Sequence, residues 1–201
     1  MINKPKYKTA RRLGANIFDK TQTAKFAEKD ARRKVEKRPR PKSDYGLQML
    51  EKQKAKMTYG VNERMFAKYV KSILDKAGAN SPEKLISILE SRLDNVVYRL
   101  GFAPTRQAGR QMVSHGHIMV NGLKITIPSY QVSLGDKITI RESSAKKGIF
   151  ANLAEKMKNQ TYPSWLAFDV VKNECKVQGL PKLTTLETNF DIAAVLNFYS
   201  R

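Results

Sequence analysis

Asn121-Gly122 is the dipeptide that most constrains this chain. It lies between His117-Ile118-Met119-Val120 and Leu123-Lys124-Ile125-Thr126, two runs of strand-forming residues. A two-residue hairpin turn needs positive φ at both central positions, and asparagine followed by glycine meets that need at least steric cost. A hairpin there fixes its surroundings. Upstream, Pro104-Thr105 opens a helix with Thr105 as N-cap, and Gly116 closes it. At 100° per residue Ala108, Met112 and Val113 share one arc of that helix, while Arg106 and Arg110 share a neighbouring one. Downstream, Leu134-Gly135-Asp136 forms another turn, and Lys137 to Arg141 alternates as a strand with Ile138 and Ile140 inward.

The flanking segments read as helices. Ser43 or Asp44 caps a helix carrying Leu47, Leu50, Lys54 and Met57 at spacings of three and four, with Lys52 and Lys56 one turn apart on another face, ending at Tyr59-Gly60. Asn62 caps a second, whose stripe of Met65, Phe66, Tyr69, Val70, Ile73, Leu74 and Ala77 is a core face. Ser81-Pro82 begins a third, expected to run unbroken through Leu85, Leu89, Leu93, Val96, Val97 and Leu100 to Gly101. A helix is expected from about 145 to 159, with Ile149, Phe150, Leu153 and Met157 inward. Short strands are expected at 165–169 and 175–177, and a last helix capped by Asn189. No internal repeat is present.

Charge narrows the function. The chain carries 38 Lys+Arg against 18 Asp+Glu, a formal +20. Such an excess repels itself in a compact state unless a polyanion neutralises it. Residues 1–42 hold 15 of the cations and 4 of the acids, so more than half the excess lies in the first fifth of the chain. Pro39 and Pro41 prevent helix among the last of these. The segment reads as an extended basic arm with one helical stretch near 21–36, its apolar residues too sparse for a core, ordered on its partner. A continuous apolar face for a membrane surface is lacking. No apolar run approaches the roughly 20 residues of a membrane-spanning helix, and no signal-peptide core is seen, so a soluble, non-exported chain is expected.

Catalytic and metal chemistry find little to work with. No phosphate-cradling glycine loop of the common spacings occurs. Cys175 is the one cysteine, which excludes an intrachain disulfide and a cysteine zinc cluster. His115 and His117 are the only histidines and flank Gly116 with no Cys, Asp or Glu nearby, which leaves RNA contact or structural capping of the turn. Arg92-Leu93-Asp94 also occurs around the catalytic aspartate of one pseudouridine synthase family, but here it lies in a patterned helix, where pairing of Asp94 with Arg92 or a nearby cation, or a part in setting the helix orientation, is the plainer role. The positive constellation is Arg106, Arg110, His115, His117, Asn121 and Lys124 on a helix, a turn and a hairpin. Fixed cations and amide donors suit phosphates. The absence of interleaved exposed aromatics favours folded RNA over stacked single strands.

At these residues the chain resembles a known family. Arg92 to Gly101, then Thr105-Arg106, Val113-Ser114-His115-Gly116-His117-Ile118 and Val120-Asn121-Gly122, are similar to the RNA-binding domain named after small-subunit ribosomal protein four. That domain also occurs in tRNA synthetases, pseudouridine synthases and a heat-shock RNA binder. Ser43-Asp44-Tyr45-Gly46-Leu47-Gln48, Glu51 to Lys54, Tyr59 to Arg64 and the final Phe198-Tyr199-Ser200-Arg201 resemble the ribosomal protein itself. The likeness spans about residues 43–201 well and the arm loosely, through Lys6 to Gly14.

The resemblance implies an α+β fold in which a mainly helical domain, 43–90 with 158–201, is interrupted by an inserted RNA-binding domain, 91–157, and preceded by the arm, 1–42. It implies a structural, non-enzymatic constituent of the bacterial small ribosomal subunit in the cytoplasm, with no cofactor and no membrane. That protein would bind a multi-helix junction in the 5′ domain of 16S rRNA early in assembly, touch ribosomal protein five, and lie near the mRNA entry channel with an influence on accuracy. RNA-binding residues would then include Lys6, Lys8, Arg11, Arg12, Arg32, Arg33, Arg38, Arg40 and Lys42 of the arm, with Tyr45, Lys52, Lys54, Lys56 and Arg64 of the first helices, besides the constellation above. Two departures stand out. The arm lacks the cysteines of a zinc knuckle that many relatives carry, so a zinc-free form is expected. Arg38-Pro39-Arg40-Pro41-Lys42 also replaces the usual Pro-Gly-Gln-His-Gly stretch. An RNA-modifying enzyme using this module as a guide, and a free-standing mRNA regulator, are the competing readings.

Overall fold

The computed structural model describes residues 5–14, 17–36, 41–75, 81–145, 147–150, 157, 161–169, 173–182 and 188–200. The chain divides into two compact units, one formed by 1–82 with 187–201 and the other by 83–186.

In the first unit, helix α1 (Lys6–Leu13), a 3₁₀ turn (Asp19–Thr21) and α2 (Ala24–Glu36) occupy the basic N-terminal segment. Helical structure here is more extensive than the single stretch expected near 21–36. Ala10, Leu13, Ile17 and Phe26 are buried, and Tyr7 stacks on Phe26 at 5.6 Å between ring centres. These sparse apolar residues suffice because α1 packs against α3 (Asp44–Tyr59) rather than forming a core alone. Ser43 caps α3 by accepting from Gly46 N, and Asn62 caps α4 (Glu63–Leu74) by accepting from Met65 N. Helix α9 (Ile192–Tyr199) lies along α3 and touches α4. Its cap is Asp191, whose Oδ1 accepts from Ala193 N and Ala194 N, two residues beyond the expected Asn189. Glu51 accepts from Asp191 N and so ties α9 to α3. Leu47 is half-exposed, while Ala55 and Tyr59 carry the buried face of α3.

In the second unit, the helix expected to run unbroken from Pro82 to Leu100 is two helices, α5 (Ser81–Glu90) and α6 (Leu93–Arg99). The break has a tertiary cause. Residues 128–132 lie alongside Ser91 to Asp94: Val132 N donates to Ser91 O, Leu93 N to Tyr130 O and Asp94 N to Pro128 O. Arg92 is extended (φ −65°, ψ 134°) and bridges to Gln131. Helix α7 (Arg106–Ser114) follows, capped by Thr105 through Ala108 N. The hairpin is present: β1 (Ile118–Val120) pairs with β2 (Leu123–Lys124), with Val120 opposite Leu123 and φ of 51° and 79° at Asn121 and Gly122. Strand β3 (Lys137–Ile140) pairs with β1, putting Ile118 opposite Ile140.

Strands β4 (Leu166–Asp169) and β5 (Glu174–Val177) complete an antiparallel sheet in the order β2-β1-β3-β5-β4. Because β5 pairs with β3, with Ile138 opposite Cys175, residues 161–182 belong with this unit and not with the helical one to which 158–201 was assigned. The core joins the inner faces of α6 and α7 to the sheet through Leu93, Val97, Val113, Ile118, Ile138 and Val177. A short helix, α8 (Glu142–Ala145), and a 3₁₀ turn (Gly148–Phe150) stand where the helix over 145–159 was expected, and most of that range lies outside the described residues.

Candidate nucleic-acid interface

Helix α7 is set tightly on α6. A Cβ at Gly109 would stand 2.6 Å from the Asp94 carbonyl oxygen, so only glycine permits this approach. It brings Arg106 to Asn95, where Nε donates to Oδ1 at 2.7 Å, and places the guanidinium 4.5 Å from the centre of the Tyr98 ring. Asn95 in turn donates to Glu90, which receives Arg99 through two parallel bonds of 2.8 and 2.9 Å. Arg106 is thus oriented by a chain of buried polar groups. Past the helix, Gly116 takes the left-handed φ of 69° that favours glycine, and the flexible stem of Lys124 lies over it.

The acids of this region are all withdrawn from the surface. Between residues 84 and 141 the sequence holds three: Glu90, Asp94 and Asp136. All three are buried. Glu90 takes Asn95 and Arg99, Asp94 takes both a 3.0 Å and a 2.6 Å bond from buried Arg92, and Asp136 accepts from Ser133 N and Asn121 Nδ2. Lys84, Lys124, Lys137 and Arg141 are exposed, and Arg106 and Arg110 half-exposed. The surface of 84–141 therefore presents cations with no exposed carboxylate from the same segment. Such a surface attracts polyanions at long range and holds phosphates at contact.

Three of the residues expected to touch RNA are placed elsewhere. Lys52 and Lys56 are buried, each 2.8 Å from a different oxygen of Glu63, and Lys52 also sits 4.4 Å from the centre of the Phe198 ring. Partial burial opposes charge on Glu63, but hydrogen bonds from Lys52, Lys56 and Tyr199 prevail and bring its carboxyl down to about 2. These lysines close the first unit on itself. His117 is the third. It is buried, its Nδ1 is 2.9 Å from Ser144 Oγ, and Phe150 packs edge-on against its ring. Burial first, then the nearby charges of Lys147, His115 and Arg141, lower its pKa. The His117 ring is thus turned into the second unit, against α8 and the 3₁₀ turn, whereas His115 is exposed.

The remaining expected residues are distributed over several elements. Lys8, Arg11, Arg12, Arg32, Lys42, Tyr45 and Arg64 are exposed and Lys6 is half-exposed, while Lys54 pairs with Glu51 at 2.6 Å. Asn121 is exposed, but its side chain is held by Asp136 and by Lys137 N. The side chain of Arg33 and all of Arg38 and Arg40 lie outside the described residues. Exposed Arg141 was not among the expected residues. The register of β1 on β3 sets it beside the turn, with its N–H donating to His117 O, and only that register could have revealed it.

Other chemistry is not supported by the side chains present. Among the described residues no cluster of three or more His, Cys, Asp or Glu could hold a metal ion, and no helix is long and apolar enough to cross a membrane. Cys175 is buried, and burial, then Glu174, pushes its thiol up to about 12, so it is a poor nucleophile.

Helix α7, packed on α6 and leading into the hairpin, lies within the stretch that marks this chain as a protein of the S4-domain class. Two family models match: the S4 domain over residues 91–138, and the ribosomal protein S4/S9 N-terminal domain over residues 2–90. Curated relatives agree along the chain. The small ribosomal subunit protein uS4 of Cupriavidus pinatubonensis is 40% identical over 205 residues, covering 98% of this chain and 97% of that protein. That of Chloroflexus aurantiacus (strain ATCC 29366) is 40% identical over 201 residues with the same coverage. The uS4A protein of Alkaliphilus oremlandii is 48% identical over 159 residues, 79% of this chain and 76% of its own. The chain belongs to the family of small ribosomal subunit protein uS4.

Proposed function

We propose that this protein is a structural, non-enzymatic constituent of the small ribosomal subunit and that it binds 16S rRNA. The observation that carries the reading is that the exposed charged side chains of residues 84–141 are all cationic, because every acid of that segment is buried, although Lys137 pairs with Glu174 from β5. Arg106, Arg110, His115, Lys124 and Arg141 would meet the sugar–phosphate backbone there. Lys6, Lys8, Arg11, Arg12, Arg32 and Lys42, together with Tyr45 and Arg64, would extend the contact across the first unit. Lys52, Lys56 and His117, which are buried, are left out of this reading. The finer reading rests on the family resemblance: a multi-helix junction of the 5′ domain as the binding site, early entry into assembly, and a position beside ribosomal protein five and the mRNA entry channel that bears on accuracy. In this reading the unit of 83–186 is an insertion within the unit of 1–82 and 187–201, and the N-terminal segment is an RNA-contacting arm.

The test is binding of the purified protein to the 5′-domain rRNA against an unrelated RNA duplex of equal length, over a range of salt. Preference for the folded junction, with strong salt dependence, is expected. Equal affinity for both RNAs would remove the proposal. An RNA-modifying activity is disfavoured by one geometric fact: Asp94, its candidate catalytic carboxylate, is buried and committed to Arg92.

A further inference from the structure

Asn121-Gly122 is the only Asn-Gly in the sequence, and it stands exposed at the tip of the hairpin. This dipeptide has intrinsic reactivity. The deprotonated backbone nitrogen of the glycine, unhindered by a side chain, can attack Cγ of the asparagine. An N–Cγ bond forms, the Cγ–Nδ2 bond breaks, and the nitrogen leaves as ammonia. Water then opens the succinimide at either carbonyl, leaving aspartate or isoaspartate, with no change in oxidation state.

The structure opposes this reaction at the reacting group itself. Nδ2, the leaving nitrogen, donates to Asp136 Oδ1 at 2.8 Å, and Oδ1 accepts from Lys137 N at 2.9 Å. Both polar atoms of the amide are therefore held toward the start of β3, and Asn121 N is tied to Lys137 O. To react, Cγ must leave those partners and fold back over its own peptide. Asp136 is buried and steadied by Ser133 N, so the clamp is a built feature. The product would also be disfavoured in place. An oxygen at the position of Nδ2 would set two carboxylates at hydrogen-bond distance with no proton between them, and isoaspartate would lengthen the main chain where Val120 faces Leu123.

We propose that Asn121 is a spontaneous deamidation site whose rate is governed by the Asp136 clamp, so that the lifetime of the hairpin is set by one side-chain pair. The experiment follows conversion of Asn121 by peptide mass mapping during incubation of the full chain near neutral pH. It compares wild type, Asp136→Ala, and wild type unfolded in urea. The unfolded chain should convert fastest, and the folded wild type about ten-fold or more slower, as the loss of a charge-assisted hydrogen bond implies. Asp136→Ala should recover much of that difference. Equal rates for folded and unfolded wild type, or for wild type and Asp136→Ala, would overturn the proposal, as would no conversion in urea. Because Asp136→Ala could loosen the whole unit, a reciprocal exchange is read separately by thermal unfolding. Asn121→Asp alone should lower the midpoint, and adding Asp136→Asn should restore it. The amide introduced by Asp136→Asn can donate to the carboxylate at position 121 while its oxygen still accepts from Ser133 N. A double variant no more stable than the single would equally refute the clamp.

Discussion

At residue scale, the informative side chains are those whose burial contradicts their usual place at the surface. His117 is one. Its pKa lies below the ordinary value of 6.5 because burial and surrounding cations disfavour the imidazolium. The unfolded chain therefore takes up this proton more readily than the folded one. The stabilisation is complete above about 6.5 and is lost as pH falls through the lower folded value. Thermal unfolding should shift downward on acidification from neutral to about pH 5, and His117→Gln should flatten that dependence. Glu63 acts at a lower range: its contribution is present above 4.5 and lost as pH falls toward about 2. Tyr199→Phe removes one of its hydrogen bonds and should raise the midpoint of acid unfolding. The Arg92–Asp94 pair is wholly internal. Asp94→Ala should cost about 3 kcal/mol, because it strips the carboxylate from a buried guanidinium. Urea unfolding would measure that loss.

At the scale of elements, local signals were legible and distant ones were not. Ser43 (of the Ser43-Asp44 pair), Asn62 and Thr105 cap their helices, because capping depends on residues only two or three positions ahead, although the last helix is capped by Asp191 and not by Asn189. The hairpin at Asn121-Gly122 forms for an equally local reason. The break between α5 and α6 could not be read from periodicity, since the strand-like partner at 128–132 lies some forty residues on. Nor could the burial of Lys52 and Lys56, which depends on Glu63 in another helix and on Phe198 and Tyr199 at the end of the chain. The burial of His117 is likewise distant in origin, since its partner Ser144 is in α8. The close approach of α7 to α6 gives a sharp expectation. Gly109→Ala should destabilise the protein by about 1–3 kcal/mol, because the backbone at Asp94 must move. An unchanged unfolding midpoint would show that the contact is looser than 2.6 Å suggests.

At the scale of the whole molecule, the +20 charge announced a polyanion partner, but its arrangement is a result of folding. Burial of Glu90, Asp94 and Asp136 leaves the 84–141 surface more basic than its composition implies, and burial of Lys52 and Lys56 removes two expected contacts from the first unit. The N-terminal segment is helical over much of its described length, so part of its charge is presented on α1 and α2 and not on an extended strand. If the cations around α7 and the hairpin contact RNA phosphates, their removal must show in the slope of log affinity against log salt. That slope is to be measured on 5′-domain rRNA for wild type and for Arg110→Ala combined with Lys124→Ala. Two lost phosphate contacts should lower it by about 2 and weaken binding to all RNAs alike. A slope identical to wild type would mean that these side chains do not meet the phosphates.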